Sequence, residues 1–222
     1  MFKKNPKTGT AMLLAWPETL CKETTVWYDY LMRWLGINKN GYYKVGHAAI
    51  VLIEDGAEEA HYFDFGRYHA PVGYGRVRSA VTDHELKLNT KAKFAMGKLT
   101  NQIAILEEIK HNEACHGVGV LYAAEARINF KKAYQKALAM QEDSPIIYGP
   151  LVWNGTNCSR FVRTVALKAQ PKGLWARIRL FLPYSVSPSP MANILAFRTF
   201  YKIKATEQQQ AEHGSIPVVE YS

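Results

Sequence analysis

Cys158, His47 and Asp64 are the three residues whose types and settings could do chemistry together. Cys158 lies in the stretch from Tyr148 to Ala169, which begins as a turn carrying Gly149-Pro150 and Asn154-Gly155-Thr156-Asn157. Beyond the turn, Phe161, Val162, Val165, Ala166 and Ala169 recur at three- and four-residue spacing, the apolar stripe of a helix, and Cys158 falls on it. With Thr156 or Asn157 as N-cap, the sulfur sits in the first helical turn, where the positive end of the dipole favours a thiolate. Such a sulfur is a candidate nucleophile. The competing reading is an inert cysteine packed as a small hydrophobe. The stretch Val45-Gly46-His47-Ala48-Ala49-Ile50-Val51-Leu52-Ile53 favours the nucleophile. A histidine opening so apolar a strand is costly to bury without a partner, and Gly46 lets another backbone approach closely.

The elements that must position these groups follow from local pattern. Residues 44–53 and 59–68 read as two strands of a hairpin turning at Asp55-Gly56. A turn centred on Gly56-Ala57 makes the numbers of paired residues sum to about 113. His47 then stands opposite Gly66 and diagonal to Asp64. Odd positions of the first strand share a face with Tyr62, Asp64 and Gly66 of the second. A one-residue slip would bring His61 or Phe63 to that face instead.

Thiol hydrolysis needs a thiolate, an imidazole and a polar group that orients the imidazole. Cys158, His47 and Asp64 fill those roles, with His61 and Glu59 as alternatives for the third. The Cys158 backbone N–H at the helix start is a ready oxyanion donor, and Asn157 or Tyr148 could complete the hole. Tyr62, Tyr74 and Arg76 are candidates to shape a substrate cleft. Arg76 and Arg78 share one face of a strand over residues 75–81, where they either bind an anionic group or face solvent.

Val45-Gly-His47-Ala-Ala-Ile-Val51, followed much later by Gly155-Thr-Asn-Cys158-Ser-Arg-Phe-Val162, resembles the permuted papain-like (NlpC-type, YiiX-like) cysteine hydrolases, a group that includes bacterial enzymes. In that branch the Gly-His strand precedes the Cys-bearing helix, as here. The resemblance covers roughly residues 45–169. It implies an α+β fold with a central antiparallel sheet packed on the Cys helix, a circularly permuted papain-like core. It also implies cleavage or transfer at an amide or ester through an acyl-thioester, with no cofactor. The third catalytic residue varies within the group, so the resemblance leaves the Asp64 role to the residues themselves.

The 222 residues suit one domain, and 48% hydrophobic content is ample for its core. We expect a loose N-terminus over 1–10, one domain over 11–203 with a wrapping C-terminal segment, and a mobile tail over 204–222. Net charge is +9, but Lys and Arg look scattered, and no nucleic-acid motif accompanies them, so nucleic acid is not an expected partner. The expected partner is a small peptide or amide substrate. Leu174 to Ala196, apolar beside basic residues, also suggests contact with a membrane surface and a lipid acyl substrate as an alternative; a non-catalytic binding protein is the rival outside enzymes. Oligomeric state is unknown from sequence.

Cys21, Cys115 and Cys158 are far apart with no CxxC spacing, which argues against a disulfide framework or a zinc cage. His111, Cys115 and His116 are too few for a metal site. No signal peptide is visible, so the expected location is the cytoplasm. Further elements are a strand over 12–16, helices over 26–35, 91–110 (Leu99, Ile103 and Leu106 inward) and 129–140, and a strand over 118–123.

Overall fold

Gly9–Trp16 form strand β1, buried along its whole length in the computed structural model, which describes residues 7–22, 38–39, 42–43, 46–149, 152–182 and 189–204. β1 begins three residues earlier than its apolar run suggests, so Gly9 and Thr10 belong to the sheet and not to a loose end. It reads as a near-continuous apolar run without alternation because both of its faces are covered. His47–Glu54 (β2) and Ala60–Gly66 (β3) form the expected hairpin, and Tyr74–Ser79 (β4) extends it. Leu121–Ile128 (β5), Ile146–Ile147 (β6) and Tyr201–Ile203 (β7) complete a seven-stranded sheet of order β6-β4-β3-β2-β1-β5-β7. Every neighbouring pair in it is antiparallel.

Gln102–His111 is helix α1, Phe130–Glu142 α2, Cys158–Lys168 α3, Leu174–Phe181 α4 and Pro190–Leu195 α5. One apolar layer joins Leu13, Ile50, Phe63 and Phe65 of the sheet to Ala133 and Ala137 of α2 and to Phe161 and Val165 of α3. The opposite layer joins Met12, Val51 and Tyr62 to Leu106 and Ile109 of α1 and to Leu86 and Leu99. The protein is therefore an α+β fold with helices on a large antiparallel sheet.

Two expectations change. The helix foreseen over 91–110 starts only at Gln102. Phe94–Ala95 and Lys98–Leu99 instead pair as a small hairpin around Met96 and Gly97, both at positive φ. Ile103 is exposed, whereas Ile105, Leu106 and Ile109 turn inward. The strand foreseen over 118–123 runs from Leu121 to Ile128, because its pairing with β1 continues to Ile128. The helix foreseen over 26–35 and nearly all of the expected C-terminal tail lie outside the described residues.

Candidate active site

Asn157 caps α3, its side chain accepting the Arg160 N–H at 2.9 Å, and Cys158 is the first helical residue, as its position in the stripe requires. Backbone bonds from Tyr148 N to Gly73 O and from Thr156 N to Ile147 O tie the preceding turn to the rim of the sheet. The buried Asn193 of α5 donates to Ser159 O and holds the start of α3 from the other side. Cys158 belongs to the apolar layer under α3, yet its Sγ lies 4.0 Å from the carbonyl oxygen of Gly46, the residue before His47. The sulfur thus sits at the end of β2, where the strand begins.

Gly46 has φ +74°, and a Cβ there would lie 2.8 Å from the Trp16 carbonyl oxygen and 3.0 Å from Pro17 Cα. Gly46→Ala combines a strained backbone with a clash against backbone atoms. We expect it to cost about 1–3 kcal/mol, read from urea unfolding at constant m-value. A loss below about 0.5 kcal/mol would show that the β1–β2 junction relaxes freely.

The hairpin register is the one that the turn dictates: Ala49 pairs with Asp64, Ile50 with Phe63 and Val51 with Tyr62. Consequently His47 Nε2 meets Asp64 Oδ2 at 3.2 Å, with the histidine 6% exposed and the aspartate fully buried. Asp64 pairs across β3–β4 with Arg78, whose Nε and Nη2 fork onto its two oxygens at 3.0 and 2.6 Å. Tyr62 adds a hydroxyl hydrogen bond of 3.3 Å. The Arg78 guanidinium lies 3.4 Å over the Tyr68 ring, and Tyr68 meets the His47 ring edge-on and stacks on His116. On its other side His47 stacks on Trp16, with centroids 5.7 Å apart.

The electrostatics follow from this chain of contacts. Burial alone would push the His47 imidazolium toward neutrality, but the hydrogen bond to Asp64 and the nearby Cys158 outweigh it and raise the pKa to about 9. Burial alone would likewise raise the Asp64 carboxyl. The Arg78 charge, with hydrogen bonds from His47 and Arg78, instead holds it well below the usual carboxylate range. Burial and the Arg78 charge push His116 down to about 4, and burial pushes the Cys115 thiol up to about 12.

The folded chain therefore binds the His47 proton more tightly than an unfolded chain, at about 9 against 6.5. The stability that this contributes is complete below about pH 6.5 and disappears as pH rises through about 9. Asp64 acts in the opposite direction, contributing above the ordinary carboxylate pKa and losing that contribution as pH falls toward its depressed value. We expect urea midpoints to fall between pH 7 and pH 9.5 in the native chain and to stay flatter in His47→Gln. Parallel curves would remove His47 as the source.

Of the candidates for the third role, Asp64 meets His47. His61 lies 3.7 Å from Glu59 and packs on Tyr134 and Phe130 over the other face of the sheet. Tyr62 is 1% exposed and serves Asp64, too deep to line a cleft. Arg76, half-buried, forks onto Asp83 and donates to Tyr68 O, so its guanidinium is already paired within the chain. Tyr74 is partly exposed, and Tyr148 stacks on Phe65 with the Arg67 guanidinium over its ring. The side chain of Cys21 lies outside the described residues.

Sequence reasoning did not assign roles to Trp16, Tyr68 and His116, and left Arg78 open between an anion and solvent. For Arg78 a signal existed: continuing the hairpin parity across the next strand pair sets it beside Asp64. Trp16 and His116 had none, because they arrive from β1 and from the loop after Cys115. The close approach of Gly117 to the Trp16 ring, where a Cβ would lie 2.1 Å from an indole carbon, brings that loop in.

A helix-flanked antiparallel sheet with a buried thiol, imidazole, carboxylate and guanidinium in succession at one end defines an α+β protein with a candidate site for thiol chemistry. The chain belongs to the TseH-like family of type VI secretion system effectors, whose family match spans residues 11–174. The crystal structure of the type VI secretion system effector TseH superposes with a TM-score of 0.56 at 18% identity, covering 87% of this chain and 90% of that one, a likeness of fold. No match is found among curated proteins.

Proposed function

We propose that this effector is a cysteine hydrolase, a peptidase or amidase that cleaves a peptide or cell-wall amide through an acyl-thioester. The observation that carries the reading is a buried imidazole, His47, bonded to Asp64 and directly following Gly46, whose carbonyl oxygen lies 4.0 Å from the Cys158 sulfur. With Nε2 given to Asp64, Nδ1 is the nitrogen left for the sulfur. The order of His47 before Cys158, on a sheet packed against the Cys helix, supports the permuted papain-like arrangement.

In the proposed reaction His47 already holds the thiol proton as an imidazolium when Sγ attacks the carbonyl carbon. The oxyanion is met by the Cys158 N–H, with Asn157 and Tyr148 as the further oxyanion or substrate contacts. Collapse breaks the C–N bond, and His47 passes its proton to the leaving amine. Water, giving a proton to His47, then attacks the thioester. The carboxylic acid leaves and the thiol is restored. Asp64 keeps the ring oriented and stabilises the imidazolium. An imidazolium that persists to about pH 9 is suited to the acid half of this cycle.

The test is a panel of peptide and cell-wall amides beside lipid esters, quenched in acid and digested for mass spectrometry. The expected result is an acyl adduct on Cys158 with amide substrates. Adducts formed with lipid esters alone would move the site to acyl lipids, and no adduct with any substrate would leave a non-catalytic binding protein.

A further inference from the structure

The basic residues look scattered along the chain, but the acidic ones are not. Between Ser144 and Thr206 there are nine Lys and Arg and no Asp or Glu, which equals the whole formal net charge of +9. The remaining sequence holds nineteen of each sign. That segment contributes β6, α3, α4, α5 and β7, and four of its nine basic residues, Lys172, Arg177, Arg179 and Arg198, lie on α4 or on the cavity beside it.

The same part carries an unusual apolar surface. Leu174, Trp175, Phe181, Leu182 and Leu195 are each more than half exposed. In α4 only Leu180 is buried, so the helix lies on the surface with Leu174, Trp175 and Phe181 outward and Arg177 and Arg179 between them. Trp175, Arg179, Phe197, Arg198 and Lys172 line one cavity of about 530 Å³. Glu125, the carboxylate on its wall, already accepts hydrogen bonds from Gln102 and Tyr201. None of Cys158, His47 and Asp64 lines it, so it is separate from the thiol site.

We propose that the α4–α5 face is a docking surface for an anionic phospholipid bilayer. The charge is complementary to acidic headgroups, and arginine stems can lie along acyl chains while their heads stay at the phosphates. A tryptophan among exposed leucine and phenylalanine suits the headgroup boundary, where one ring edge is wet and the rest is not. An acidic protein surface would match the charge but not this many solvent-facing aliphatic and aromatic side chains. Contact is peripheral, since among the described residues no helix is long and apolar enough to cross a membrane. The inference does not rest on the hydrolase reading.

Co-sedimentation of the full chain with vesicles of phosphatidylcholine alone, and with phosphatidylglycerol added, tests it. We expect pelleting with the anionic vesicles only, weakened by salt. Arg179→Glu with Arg198→Glu, and separately Trp175→Ala, should each raise the lipid needed for half-binding by about tenfold. These side chains are exposed, so circular dichroism should be unchanged. Brominated lipid should quench fluorescence in the native chain and less so in Trp175→Phe. No pelleting, equal pelleting on neutral vesicles, or variants that bind like the native chain would overturn the proposal. So would vesicle binding without quenching that soluble polyglutamate abolishes, which would mark an acidic polypeptide as the partner.

Discussion

Cys158→Ala will reduce amide hydrolysis to background, a fall of about 10⁴- to 10⁶-fold in kcat, as for nucleophiles that act as a unit with their base. The fold should survive. Cys158 packs among Phe161, Val162 and other apolar residues, so the change removes one sulfur atom and leaves the helix and its Asn157 cap untouched. Stability should change by about 1 kcal/mol or less. Intact-mass spectrometry should show iodoacetamide labelling at neutral pH in the native chain, and its loss in this variant if Cys158 is the reactive thiol. Cys115 should remain unlabelled, since it is buried with its thiol pKa at about 12. Turnover within tenfold of the native chain in a folded Cys158→Ala would end the nucleophile assignment. A loss of turnover accompanied by unfolding would be resolved with Cys158→Ser, which keeps a small polar atom at the helix start.

Arg78→Met will destabilise the chain by about 3–5 kcal/mol, the cost of leaving a buried charge without its partner. Asp64 is fully buried and Arg78 is 4% exposed, so water cannot replace the guanidinium at either carboxylate oxygen. The double variant Asp64→Asn with Arg78→Met should recover much of the loss, because removing both charges leaves neither unpaired. A double-mutant cycle by urea unfolding measures this directly. Single-variant losses under about 1 kcal/mol, or losses that simply add, would mean that the pair is not coupled. In the surviving Arg78→Met fraction the carboxyl loses the charge that most favours its ionised form. Its contribution to holding His47 charged should then fade at a higher pH than in the native chain.

The hairpin of β2 and β3 could be read from sequence because its turn is local. Asp55-Gly56 sets the register, and a strand's period of two then decides which side chains share a face. That is why Ala49 opposes Asp64 and why Asp64 rather than His61 meets His47. The helix after Asn157 was equally legible, since a cap and a three-to-four spacing are properties of neighbours. The helix expected over 91–110 failed for the converse reason. Apolar spacing alone did not register Met96-Gly97, two positive-φ positions that turn the chain back on itself.

Composition, strand parity and the cap of α3 are written in short stretches, so the sequence by itself determined an α+β chain with a thiol at a helix start and an imidazole facing a carboxylate. Only the tertiary structure decided that the sulfur reaches the Gly46–His47 end of β2, that Trp16 stacks on the imidazole, and that Arg78 forks onto Asp64 instead of reaching solvent. It also decided that the acid-free stretch 144–206 gathers Lys172, Trp175, Arg179, Phe197 and Arg198 around one cavity. The sulfur and indole contacts join segments tens to more than a hundred residues apart, and no local periodicity encodes them. They exist because a sheet buried on both faces leaves each strand end, helix start and loop one place to pack.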